Sequence, residues 1–222
     1  MKLFLTYIAI SWAFIINAQC YTGQLTGDYV KTKFSGNASF DQAINREYAF
    51  LTQKFGVMPD MYFFYDGNNP NAYASPQISN PNLPDGTVSI GFSLINSECS
   101  LSYSNTCSAL GIIMGHEFAH IVANKYRLNL QGKYNELFAD FLAGCYMHLR
   151  GLQFTQTAID EAARSFYGKG DTDFFSPIHH GTPQERYNAL MAGYNYSFNC
   201  VTSGYSYNLN DAITAGINYF KY

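Results

Sequence analysis

Between Ser108 and about Asn124 the chain places apolar side chains at Leu110, Met114, Phe118, Ile121 and Val122, the spacing of a helix with a wide buried face. The same stretch carries the run HEFAH, with His116, Glu117 and His120 set among Ile112, Ile113, Met114, Phe118, Ile121 and Val122. An interior helix with three ionisable groups has to give them partners, because burying a polar group alone costs roughly 2–7 kcal/mol. Residues four apart on a helix project from one face, one turn apart. His116 and His120 therefore have the spacing at which a helix offers two imidazoles to one metal ion, with Glu117 beside them as a base. The plain alternative is two core histidines with ordinary partners and a surface Glu.

A second motif, NELFAD at 135–140, favours the metal. Glu136 and Asp140 are also one turn apart, on the next helical segment. If the first helix ends near Lys125 and the second runs from about Tyr134 to Arg150 after a turn at Gly132, an antiparallel pair brings His120 and Glu136 together. At roughly 1.5 Å rise per residue each lies within about a turn and a half of the connection. Three ligands and a water complete a tetrahedral site. The expectation is one zinc ion per chain on His116, His120 and Glu136. Glu117 is expected to activate the attacking water, and Asp140 to orient a ligand imidazole from behind. His148, twelve residues beyond Glu136, reads as structural.

Upstream, residues 21–38 read as a loop or edge segment. A helix opens at Ser39 with Gln42 in a capping-box arrangement, carries Ala43, Ile44, Tyr48, Leu51 and Phe55 inward, and stops at Gly56. MYFFYD at 61–66 reads as a strand, NPNAYASP at 69–76 as a second extended piece, and GTVSIGFSLI at 86–95 as beginning with a third strand, with a connecting loop over 79–84. Downstream, a helix is expected over about 156–167 and a loop over 170–181. Another helix starts with Thr182 as N-cap, Pro183 and Glu185, and a last one spans about 211–219. The fold class is α+β, a small sheet followed by a helical zinc-binding core, in a single domain over 20–222.

The opening MKLFLTYIAISWAFIINAQC has Lys2 ahead of an uncharged apolar run, the layout of a secretory signal, assigned to 1–19. That implies a periplasmic or extracellular protein with no span left after the signal is removed; lipid attachment at Cys20 is a lesser alternative. Export permits disulfides, and Cys99 with Cys107, bracketing a short polar loop, is the expected pair. Cys145 reads as a buried thiol. A net charge of −3 provides no basic stripe for phosphates, so nucleic acid is excluded as a partner.

HEFAH with ELFAD resembles the gluzincin metallopeptidases, in which two histidines and a downstream Glu bind zinc and an Asp four residues later supports a ligand His. NAYASP at 71–76, GTVSIGF at 86–92 and HGTPQER at 180–186 make the chain look most similar to the family of CaaX prenyl proteases and the HtpX heat-shock protease. The interval from His120 to Glu136 is shorter than in that family, and its transmembrane helices have no counterpart here. The resemblance implies hydrolysis of a peptide or protein substrate and places Arg186 in a motif near the site. His180 is the residue expected to steady an oxyanion. GTVSIGF is expected to be an exposed edge on which an extended peptide adds as a strand. Two other readings share these residues: a noncatalytic, chaperone-like module for envelope proteins, and a zinc hydrolase of a nonpeptide amide.

Overall fold

Asn37 starts the first helix. Its side-chain oxygen accepts the amides of Ser39 and Phe40, both at 3.1 Å, so α1 runs Ala38–Phe55. The Ser39/Gln42 box does not form, because Asn37 is as good an acceptor and already serves that turn. Gly56 closes the helix in the left-handed region, φ 61°, with its amide bonded to Thr52. The computed structural model describes residues 30–68, 70–100, 107–151 and 180–220. The expected signal at 1–19, Cys20, the helix over 156–167 and His179 lie outside those ranges.

Strands β1 (Lys31–Thr32), β2 (Asp60–Phe64), β3 (Ala72–Ser75) and β4 (Thr87–Gly91) form one sheet in the order β1-β2-β4-β3. β2 and β4 are parallel, with Asp60 opposite Thr87; β1 on β2 and β3 on β4 are antiparallel. β4 is therefore an interior strand, buried along its whole length. This overturns the expectation that GTVSIGF has a free edge: both sides of it are already hydrogen-bonded. Among the described residues no strand pairs with the outer side of β3.

β2 ends before Asp66, whose carboxylate has a different task. It accepts the amides of Ser93 at 2.7 Å and Leu94 at 3.1 Å, and also that of Asn71 at 3.1 Å. The chain leaving β4 thereby turns at once into α2 (Phe92–Ser100), a helix that the sequence pattern did not reveal. Gly91 is needed at this junction, since a Cβ there would overlap the Asp66 carboxylate. Cys99, in α2, is disulfide-bonded to Cys107 just ahead of the next helix, as expected.

The remaining described helices are α3 (Ser108–Lys125), α4 (Lys133–Leu149), α5 (Pro183–Thr202) and α6 (Leu209–Tyr219). The Thr182 N-cap forms the full box with Glu185, as its sequence indicates, while α6 starts earlier than expected because Asn208 caps it. One core joins the inner sheet residues Phe63, Ala72, Val88 and Ile90 to Leu51 and Phe55 of α1 and to Ile112, Phe118 and Ile121 of α3. Apart from Ala72, each such side chain contributes about 1.5–3 kcal/mol relative to exposure. α4 packs on both α3 and α5. At the α4–α5 contact the backbones touch: a Cβ on Gly144 would overlap the Leu190 carbonyl, and one on Gly193 would overlap that of Phe141. Among the described residues no helix is long and apolar enough to cross a membrane.

Candidate metal centre

Contacts between α3 and α4 climb one helix as they descend the other: His120 meets Glu136, His116 meets Asp140, and Gly115 lies against Tyr146. That ordering belongs to an antiparallel pair. It brings His116, His120 and Glu136 to one buried point, with exposures of 1%, 1% and 4%. The two Nε2 atoms are 3.0 Å apart; Glu136 Oε2 lies 3.5 Å from His116 Nε2, and Oε1 lies 3.5 Å from His120 Nε2. Ligand atoms about 2.0–2.1 Å from a tetrahedral ion are about 3.3 Å from each other. Each of these separations is close to one edge of such a tetrahedron, and the group can hold a metal ion.

Behind the ligands stand charged groups that are buried too. Asp140 Oδ1 is 2.9 Å from His116 Nδ1, which sets that imidazole with Nε2 facing Glu136 and His120. Arg186, in the first turn of α5, donates from Nε to Asp140 Oδ2 at 2.5 Å and from Nη2 to Oδ1 at 2.9 Å. Its Nη1 is 3.5 Å from Glu136 Oε2, and His180 Nδ1 is 3.7 Å from the same oxygen. Glu117, adjacent to His116, is buried in α3. His120 Nδ1 has no hydrogen-bond partner among the described residues.

These surroundings set the ionisation. Burial pushes the His120 imidazole down to about 4, against the pull of Glu136 and with His116 and Arg186 acting in the same direction as burial. Burial acts to raise Glu136, but His120, His116, His180 and Arg186 outweigh it and hold the carboxyl well below its ordinary range. A neutral imidazole and an ionised carboxylate are the forms that ligate a cation. Among the described residues the one guanidinium there, that of Arg186, is buried against Glu136 and Asp140.

His116, His120, Glu136 and Asp140 are thus brought together on two helices, Arg186 reaches them from a third and His180 from the turn that precedes it. Arg186 is far more deeply placed than a first-turn arginine usually is; its spacing from His180 in HGTPQER was the one signal for it. His148 lies apart, with Nδ1 2.8 Å from Ser197 Oγ and its ring against Tyr194 and Phe198, a structural role. Cys145 is a buried free thiol that donates to the Gly193 carbonyl, and burial raises its pKa well above the ordinary value. Comparison with known proteins gives no family-model match and no significant match among curated proteins or solved structures.

Proposed function

We propose that this chain is an exported zinc-dependent endopeptidase of the gluzincin kind. The observation that carries the reading is the convergence of His116, His120 and Glu136 beside Glu117, with Asp140 behind His116. Zinc suits two imidazoles and one carboxylate with an open fourth position, and when bound it polarises a carbonyl and acidifies a water. Glu117 takes the proton of the attacking water and returns it to the leaving amine. Asp140 Oδ1, 2.9 Å from His116 Nδ1, favours the tautomer with the proton on Nδ1 and so the Nε2 lone pair toward the centre. His180, whose Nδ1 is 3.7 Å from Glu136 Oε2, would donate to a developing oxyanion. β3 packs against α3 and, like β1 at the other edge, has an outer side without a described strand partner, so an extended peptide has backbone groups to pair with there. The Cys99–Cys107 bridge suits an oxidising compartment, in keeping with the signal-like start of the chain.

Metal analysis of the purified protein should find one zinc per chain, and none after joint His116→Ala and His120→Ala substitution. A peptide library should be cleaved by wild type and spared after chelation. Glu117→Gln keeps the metal ligands and removes the base, so zinc should stay while turnover falls by about 10²–10⁴. Unchanged cleavage by the Glu117→Gln protein would defeat the mechanism. Zinc-loaded wild type that cleaves no peptide would point instead to a nonpeptide amide or a binding role.

A further inference from the structure

Arg186 ties the centre to the rest of the molecule. It is 1% exposed, and its guanidinium meets one ligand, Glu136, directly and a second, His116, through Asp140. It lies 46 positions beyond Asp140, on a different helix. That helix is held in register from two sides. The Thr182/Glu185 box fixes its first turn, and Lys133 Nζ, at the start of α4, is 2.9 Å from Glu185 Oε1. Gly181, at φ 88°, lets the preceding turn lie over the arginine stem; a Cβ there would stand 3.2 Å from Leu137 Cδ2 and 3.6 Å from Arg186 Cδ.

We propose that Arg186 is a positioning residue that holds Glu136 and His116 in ligand geometry before the ion arrives. This inference rests on the metal-centre reading above. The guanidinium has two effects of opposite sign. As a cation near a ligand oxygen it repels a metal ion; as a rigid planar fork it removes freedom that Glu136 and Asp140 would otherwise lose on binding. Asp140, bound bidentately, already neutralises most of that charge, which leaves the positional effect to dominate. The sign of the affinity change therefore separates the two roles. A residue acting only as a charge would, on removal, tighten zinc binding, and a positioning residue would loosen it.

The test uses the full chain and its Arg186→Gln and Arg186→Lys variants. Zinc affinity is read by competition with a chromophoric chelator, geometry from the visible spectrum of cobalt-loaded protein, and folding of metal-free protein by circular dichroism. Arg186→Gln should weaken zinc binding about 10–100-fold and alter the cobalt bands. Arg186→Lys, which keeps the charge and loses the fork, should fall between it and wild type. Equal or tighter zinc binding by Arg186→Gln overturns the proposal. Should a variant be unfolded without metal, refolding by zinc supports it, and failure of excess zinc to refold both variants overturns it in favour of a folding role. If wild type itself binds no zinc, the metal-centre reading fails; if wild type binds and the variants match it, only this inference fails.

Discussion

At His120 the demands of burial and of ligation coincide, because both favour the neutral ring. An unfolded chain takes up this proton near pH 6.5, whereas the folded, metal-free protein does so only near 4. Between those values the unfolded state binds more protons, so stability is complete above about pH 6.5 and is lost as pH falls toward 4. The shift corresponds to on the order of 3 kcal/mol. Glu136, whose carboxyl is held low, adds a loss in the same direction at still lower pH. Denaturant titrations of metal-free protein at pH 7.5 and pH 4.5 should show the midpoint falling with acidity. A flat profile would mean that His120 is solvated in the metal-free state.

Where α4 meets α5, two glycines let one backbone rest on the other. Replacing a helical glycine by alanine ordinarily stabilises by about 1 kcal/mol. At Gly144 and Gly193 the added Cβ would overlap a carbonyl, and a backbone atom cannot swing aside as a side chain can. Gly144→Ala and Gly193→Ala should therefore destabilise, by about 1–3 kcal/mol. Gly111→Ala, whose Cβ would meet only the Tyr146 hydroxyl at 3.5 Å, should be neutral or slightly stabilising. Thermal melts of the three variants test the contrast. The same distinction between local and distant causes explains what the sequence disclosed. HEFAH, NELFAD and the Thr182/Glu185 box were legible because their partners lie within one or two turns, and so α3, α4 and the start of α5 could be placed. The switch from β4 to α2 was not, because its cap, Asp66, lies 27 positions from Ser93. Nor could pattern alone tell that β3 comes to lie outside β4, since strand order depends on how the elements stack. The depth of Arg186 was hidden for the same reason: its partners are on another helix.

For the molecule as a whole, the centre joins α3, α4 and α5, so an ion that binds there stabilises the packing of all three. A ligand that binds only the folded state at 1,000 times its dissociation constant adds about 4 kcal/mol. For a domain of this size that is about 8–16 °C in melting temperature. Calorimetry before and after dialysis against a chelator, with zinc restored in a final scan, should show a reversible drop of that order. Equal melting temperatures in all three scans would count against a metal at the helix junction. The Cys99–Cys107 bridge contributes separately: its sequence separation of 8 corresponds to about 2.5 kcal/mol in the chain-entropy account.

The two ligand-bearing helices are joined by residues 126–132, while the arginine that braces them comes much later in the chain. Because Arg186 lies 46 positions beyond Asp140, there is an interval in which α3 and α4 have emerged, from the ribosome or from an export channel alike, and α5 has not. For that interval the newborn polypeptide has every ligand and lacks the brace. A hairpin of neighbouring helices forms quickly, so if Arg186 positions the ligands as proposed, a site formed at that adolescent stage would grip an ion poorly. On that proposal, firm retention of an ion would be an act of maturation, completed when α5 docks.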